Sequence, residues 1–521
     1  MSDPIPGVSV PAAAGLPVPR ILRSVGSPAA MRALVRYAER AMVRASDAAQ
    51  IRGNAARLLV DGSQAFPVWL DAIGRARHWV HLENYIVRSD KTGRRFREAL
   101  CDRARDGVRV RLLYDWVGCW ATPRSFWKPL RDAGVDVRAF APPRASNPLG
   151  ILRRDHRKVL AIDGEYASVS GMCIGDEWAG DPALGIPAWR DTAVDLRGPA
   201  VAVLDRAFSR TWDAAGAPLP ADEIPDPDQV ERVGDVGVRV VEGEPGKSRI
   251  YRLSQFVAVG VERRFWITDP YFVLPPAMAE ALAATARDGV DVRVLVPAYN
   301  NWTIVGGMSR AGYRPLLEAG VRIFEWEGPM IHAKTAVADG FWSRVGSTNM
   351  NLASLMGNWE MDVALTDRDF GAAMEALFEA DLASAVEISL IRSAFVSGTM
   401  FRERRSVERL VVEHPEDASK PSRVEAREAR RRSYRGSEVG RTLGRLARAG
   451  SVLVRALVGE RMIGREDTGW IAALAAILFL LAGVGAFLPR VLAWPLALFL
   501  FWLAVAALVR LRAERRAHRE L

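Results

Sequence analysis

Lysine is the scarce cation of this chain: only six of its 71 basic residues are Lys, the rest being Arg. Cysteine is scarcer still. Cys101, Cys119 and Cys173 cannot all pair, which excludes a disulfide scaffold and fits a reducing compartment. No two Cys or His residues have zinc-ligand spacing, so neither a metal nor another cofactor is expected. The N-terminus lacks a sustained apolar core after a basic start, because Pro4, Pro6, Pro11, Pro17 and Pro19 break the first apolar stretch, and an export signal is not expected.

Against this scarcity, two of the six Lys and two of the six His fall in one repeated pattern, His-x-Lys-x-x-x-x-Asp. It occurs as His156, Lys158 and Asp163, and again as His332, Lys334 and Asp339. Shuffling the same composition would give about 0.004 copies. In a chain this rich in Arg, keeping Lys at both places points to a need for a compact ammonium rather than a planar fork.

The surroundings repeat as well. Ala104-Arg105-Asp106-Gly107-Val108 parallels Ala286-Arg287-Asp288-Gly289-Val290, and Glu83-Asn84-Tyr85 parallels Asp269-Pro270-Tyr271. Each motif is followed by a turn of small residues, Ser170-Gly171-Met172-Cys173 and Gly346-Ser347-Thr348-Asn349. Similar offsets across several segments indicate an internal duplication. Apolar β-branched runs such as Val108 to Leu113 alternate with helical stretches such as Phe96 to Arg105, which reads as α/β. The proline-rich stretch Ala217 to Pro227 is the expected crossover between halves.

Displacement at a phosphodiester needs a nucleophile, a proton donor for the leaving oxygen and positive charge around the phosphoryl oxygens. Two His and two Lys supply that set. One neutral imidazole attacks phosphorus to give a phosphohistidine; the other protonates the leaving alkoxide and then deprotonates the incoming alcohol. Lys158, Lys334 and Asn349 are expected to bind the phosphoryl oxygens, with Ser347 beside them to bind or orient. Asp163 and Asp339 are expected to brace the motif loops through hydrogen bonds rather than touch substrate.

With Leu112-Leu113-Tyr114-Asp115, Gly175-Asp176-Glu177-Trp178, Trp189-Arg190-Asp191, Asp269-Pro270-Tyr271-Phe272 and Asn358-Trp359-Glu360, the paired motifs resemble the phospholipase D superfamily, specifically the bacterial cardiolipin synthases, over roughly residues 53–391. The resemblance implies a duplicated bilobal fold of two mixed sheets flanked by helices, with the active site at the interface. It also implies that a carboxylate beyond each motif orients a catalytic His; Asp191 and Glu360 match those positions. His156 is taken as the nucleophile and His332 as the acid/base. Where the family usually has Asn after the first motif, this chain has Cys173, read here as a small buried filler.

The C-terminus departs from the rest. Residues 469–488 and 491–509 form two nearly unbroken apolar runs, each long enough to cross a ~30 Å hydrocarbon layer. Only Pro489-Arg490 separates them, and Arg residues flank the outer ends, so a transmembrane helical hairpin with both ends in the cytoplasm is expected. Residues 401–465 carry 17 Lys+Arg against 9 Asp+Glu, most of the chain's net +10. Within them, residues 437–460 show apolar positions at helical spacing interleaved with Arg, the pattern of a basic amphipathic helix on an anionic membrane surface.

The expected organisation is an N-terminal segment (1–52, partly helical), two phospholipase D-like lobes (53–225 and 226–396), a basic linker (397–436), the amphipathic helix (437–460) and the hairpin (469–509). The implied activity is transfer of a phosphatidyl group between phosphatidylglycerol molecules with release of glycerol, at a bacterial inner membrane with the catalytic unit on the cytoplasmic side. A phospholipase D hydrolase and a nuclease of the same superfamily are the competing readings. The hairpin argues against a nucleic-acid partner, and the intact motifs argue against a non-catalytic scaffold.

Overall fold

The computed structural model describes residues 28–143, 153–391 and 409–413. The chain divides into two units, Met1–Arg427 and Glu428–Leu521, and every described residue belongs to the first. The expected amphipathic helix and apolar hairpin lie outside the described residues. Among those residues no helix is long and apolar enough to cross a membrane.

The first half contains β1 (Ile51–Val60), β2 (Trp79–Asn84), β3 (Arg109–Asp115), β4 (Asp136–Phe140), the short β5 (Arg154–Asp155), β6 (Lys158–Ile162), β7 (Tyr166–Ser170) and β8 (Thr192–Arg197). The second contains β9 (Val236–Gly243), β10 (Arg264–Thr268), β11 (Asp291–Pro297), β12 (Arg322–Trp326), β13 (Thr335–Ala338), β14 (Trp342–Gly346), β15 (Asn358–Thr366), β16 (Ala385–Ile391) and β17 (Arg409–Glu413). Neighbouring strands run β4-β3-β2-β6-β7-β8-β1 in the first half and β12-β11-β10-β13-β14-β15-β9 in the second. The two orders are the same topology, so the duplication seen in the sequence is a duplication of fold. In each, three parallel strands joined by helical crossovers meet an antiparallel hairpin that begins at the motif Lys158 in the first half and directly after Lys334 in the second.

Two joints link the halves. β1 pairs with β8 over Ala55–Val60 and, across an irregularity between Ile51 and Asn54, with β9 through Ile51 and Asn54. Gly53 sits at φ +93° there, a conformation that costs glycine little. Between the halves a common core forms: Val159, Val169, Val194 and Leu204 pack with Val240, Trp266, Val345 and Phe378. The motif-hairpin strands of both halves are apolar runs buried along their whole length, because one face meets this shared core and the other the core of its own half.

Two features add to the sequence reading. The N-terminal helix Pro28–Ser46 serves the second half: Met42 and Ala48 pack on its core, and Arg249 reaches Asp47 at 2.7 Å. Residues 409–413, expected within the linker, add an edge strand antiparallel to β16. The run Leu410-Val411-Val412 is apolar and carries two β-branched valines, a composition that suits an added edge strand.

Candidate active site

The motif hairpins explain why Asp closes each pattern. Asp163 and Gly164 lie at φ +55° and +70°, and Asp339 and Gly340 at +52° and +64°. Two successive positive φ values are the geometry of a type I′ turn, which Asp-Gly tolerates. The Asp163 carboxylate accepts the backbone N–H groups of Arg77, His78 and Trp79 at 2.7–2.9 Å. Asp339 does the same for Glu262, Arg263 and Arg264 at 2.9–3.0 Å. Each Asp therefore ties its hairpin to the start of the neighbouring strand, at the end of the sheet away from its own motif Lys. The fold separates them from the other predicted site residues.

At the opposite end, the C-terminal ends of β2 and β10 adjoin the first residues of the hairpins. Asn84 registers with Lys158, and Thr268 with Thr335. The dipeptide before each motif then crosses to the other half. Arg154 and Asp155 pair in parallel with Asn358 and Trp359, and Ile331 bridges to Arg190. The His156 N–H donates to the Trp359 carbonyl at 2.9 Å, and the His332 N–H to the Arg190 carbonyl at 2.7 Å.

The next residue after each of those carbonyls is a carboxylate, and it meets the imidazole of the other half. Nδ1 of His156 lies 2.9 and 3.1 Å from the two oxygens of Glu360. Nδ1 of His332 lies 2.8 Å from Asp191 Oδ2. A carboxylate on Nδ1 fixes the tautomer that exposes Nε2 to substrate. Both carboxylates are held in turn. Glu360 accepts from Ser347 Oγ at 2.5 Å and Asn358 Nδ2 at 3.1 Å. Asp191 accepts from Trp178 Nε1 at 3.2 Å and its neighbour Thr192 N–H at 2.8 Å. A Cβ on Gly171 would overlap the Asp191 carboxylate, which accounts for glycine in that turn.

The lysines complete the set. Each Nζ donates to the backbone carbonyl of its own motif His, Lys158 to His156 and Lys334 to His332. Lys334 Nζ also lies 3.0 Å from both ring nitrogens of His332. Burial and the Lys334 ammonium push His332 down to about 3, and burial lowers Lys334 itself to about 8. His156 is lowered mainly by burial, with Glu360 opposing. Burial alone would raise Asp191 and Glu360, but the facing imidazoles and ammoniums hold both below the usual carboxylate range. Both lysines act on both imidazoles, so the motifs share one electrostatic site.

Of the remaining predicted residues, Ser347 orients Glu360 and accepts the Met361 N–H at 2.8 Å, and Asn349 is buried with its Nδ2 on Ser354 Oγ at 3.3 Å. Cys173 is a buried thiol in the first-half core, raised by burial, as a filler would be. The role of Tyr85 was not foreseen. Its ring stands edge-on to His156 at 4.8 Å, with Lys158 Nζ 5.1 Å from the ring centre. Tyr271 repeats this at His332, 5.9 Å away, with Lys334 at 6.0 Å. The signal was the repeat of Tyr after β2 and β10.

No group of three or more His, Cys, Asp or Glu among the described residues is placed to hold a metal ion.

Residues 261–382 match the family model described as cardiolipin synthase, PLD-like domain. The chain is 36% identical over 339 residues to a cardiolipin synthase of Geobacillus sp. (strain WCH70), covering 64% of this chain and 67% of that one. It is 35% identical over 341 residues to cardiolipin synthase A of Pseudomonas putida (strain W619), covering 64% and 70%. Among solved structures, the phosphatidylserine synthase of Haemophilus influenzae Rd KW20 superposes with a TM-score of 0.51 at 13% identity, over 67% of this chain and 91% of that one, a likeness of fold. With two copies of the motif on one duplicated fold, the chain belongs to the cardiolipin synthase family of the phospholipase D superfamily.

Proposed function

We propose that this chain is a phosphatidyltransferase that passes the phosphatidyl group of one phosphatidylglycerol to the glycerol headgroup of another, forming cardiolipin and releasing glycerol. The observation that carries the reading is the paired site itself: two buried imidazoles, each set by a carboxylate, between two ammoniums. That is the equipment for an in-line displacement through a covalent intermediate.

In this scheme Nε2 of His156 attacks phosphorus, and the bond to the departing glycerol oxygen breaks. His156 uses Nδ1 on Glu360, and no protein partner engages its Nε2 among the described residues, which leaves that lone pair for attack. Lys158 and Lys334 bear on the phosphoryl oxygens, with Asn349 beside them. Once the phosphodiester anion draws the Lys334 ammonium off its ring, the neutral His332 takes up a proton from solvent, or keeps the one left by the preceding turnover, and gives it to the leaving oxygen. It then accepts the proton of the incoming glycerol hydroxyl, which attacks phosphorus and releases His156. The reverse order is favoured by one observation, the low value of His332, which keeps that imidazole neutral in the empty site. Tyr85 and Tyr271 wall the two imidazoles and limit access of water, the competing acceptor.

The two apolar runs at 469–488 and 491–509 would hold the enzyme at the bacterial inner membrane, with residues 437–460 on its anionic surface and the catalytic unit on the cytoplasmic side. The deciding experiment is product analysis of the purified full chain given phosphatidylglycerol. Cardiolipin with equimolar glycerol supports transfer. Phosphatidic acid with glycerol, and no cardiolipin, would make the protein a phospholipase D instead.

A further inference from the structure

Nine large hydrophobic side chains are exposed among the described residues, and six of them sit on the loops and first helical turns at one edge of the sheets. β2, β3 and β4 run parallel, as do β10, β11 and β12, so the loops after β3 and β11 leave at the edge that carries the two His. The first presents Trp120, 75% exposed; the second presents Tyr299 and Trp302, 85 and 65% exposed, and runs into the helix Thr303–Ala311, whose first turn carries Ile304, 66% exposed. Ile186 and Leu352, on the segments that enter β8 and β15, complete the rim.

Trp120 and Trp302 occupy the same place in the duplication. Each is the fifth residue after its parallel strand, β3 ending at Asp115 and β11 at Pro297. Each loop also rests on the tyrosine that walls its own half-site. A Cβ on Gly118 would overlap the Tyr85 carbonyl, the Cys119 thiol donates to that carbonyl at 3.6 Å, and Thr122 Oγ1 donates to the Val87 carbonyl at 2.6 Å. Tyr271 OH donates to Asn301 Oδ1 at 2.9 Å, and Asn300 Nδ2 to the Pro270 carbonyl at 2.7 Å. Both exposed indoles are thus carried by loops braced directly against the catalytic imidazoles' neighbours.

We propose that this edge is a membrane-docking face: Trp120 and Trp302, with Tyr299 and Ile304, seat in the interfacial layer of a lipid bilayer, so that both half-sites open onto the headgroups. The inference rests on the phospholipid reading above. Indole and phenol rings favour the headgroup zone because one end is apolar and the other wet. Left in water, an apolar rim around an active site marks an interaction surface. The bilayer fits this one because the reacting phosphodiester is held there, and β17, which runs in the same direction as β12, brings the last described residues, 409–413, to this edge.

Two measurements on the full chain test it. The double variant Trp120→Ser/Trp302→Ser should keep its turnover of short-chain, monomeric phosphatidylglycerol and lose about tenfold or more in kcat/KM on phosphatidylglycerol in vesicles, a factor equal to 1.4 kcal/mol. Separately, a polarity-sensitive dye on Ile304→Cys should shift to the blue on anionic vesicles, while the same dye on Val259→Cys, on the helix that leads into the start of β10, should not. Equal loss on monomers and vesicles, a shift at Val259 in place of Ile304, or a lipid-free shift that grows with protein concentration would each overturn the proposal, the last in favour of a second copy of the chain. The dye readout needs no turnover, so it stands apart from failure of the transferase reading, which appears as absence of cardiolipin.

Discussion

Glu360 in the second half holds the imidazole of His156 in the first, with Nδ1 to Oε2 at 2.9 Å, and Asp191 in the first half holds His332 in the second at 2.8 Å. The carboxylates are exchanged. Neither half can set its own imidazole, so a productive tautomer exists only when the two halves are assembled.

The exchange predicts how the carboxylate variants behave. Glu360→Gln and Asp191→Asn should each lower kcat about 10- to 100-fold, the usual cost of losing the group that orients a functional His. Imidazole nitrogen NMR should show Glu360→Gln moving the resonances of His156 much more than those of His332, and Asp191→Asn the converse. A larger shift in the His of the same half would contradict the exchanged pairing.

The two imidazoles should separate in the first chemical step. His156→Ala and His332→Ala should both abolish turnover, but only His156→Ala should also abolish a phosphoenzyme trapped by acid quench. Trapping on His332 in the wild type would reverse the assigned order, and normal activity in either variant would end the two-His mechanism.

Asp163 should matter for stability and little for chemistry. Asp163→Ala removes three acceptor contacts and places a Cβ residue other than Asp at φ +55°, so unfolding in denaturant should show a loss of about 1–3 kcal/mol. Turnover per folded molecule should stay within about twofold, a difference too small to reflect loss of a transition-state contact. A loss of kcat without a loss of stability would return Asp163 to the reaction.

Two buried carboxyls beside the first motif, Glu83 on β2 and Asp155 on β5, should make stability depend on pH. Burial pushes Glu83 from 4.5 up to about 7, with Arg157 opposing, and raises the adjacent Asp155 as well. A carboxyl raised on folding binds its proton more tightly in the native state, so its contribution is full below the unfolded value and is lost as pH rises through the folded one. Between about pH 4.5 and 7 the wild type should therefore lose stability relative to Glu83→Gln. Denaturant midpoints at pH 5 and pH 8 check this; an unchanged difference would mean that Glu83 is ionised throughout.

Turnover should persist in excess chelator, because the two ammoniums already supply the positive charge that a metal would bring to the phosphoryl oxygens. Full loss restored by a single divalent cation would show a metal requirement.

The sequence by itself determined the duplication, the chemical set and the bracing carboxylates. A motif of rare residues repeated with its flanks is legible without coordinates, and Asp followed by Gly announces the turn that ends each motif hairpin. Only the tertiary structure decided the pairing of Glu360 with His156 and Asp191 with His332, because it depends on the parallel bridges Trp359–Asp155 and Arg190–Ile331 between segments far apart in the chain. Of the two roles open to Ser347, binding phosphate or orienting, the contact with Glu360 is the one the tertiary structure shows, since a hydroxyl's partner is set by which strand lies beside it. The aromatics near the motifs were sorted only by the fold as well: Phe272 is buried while Trp120 and Trp302 stand in solvent, and burial is a property of what packs against a residue, which local sequence does not contain.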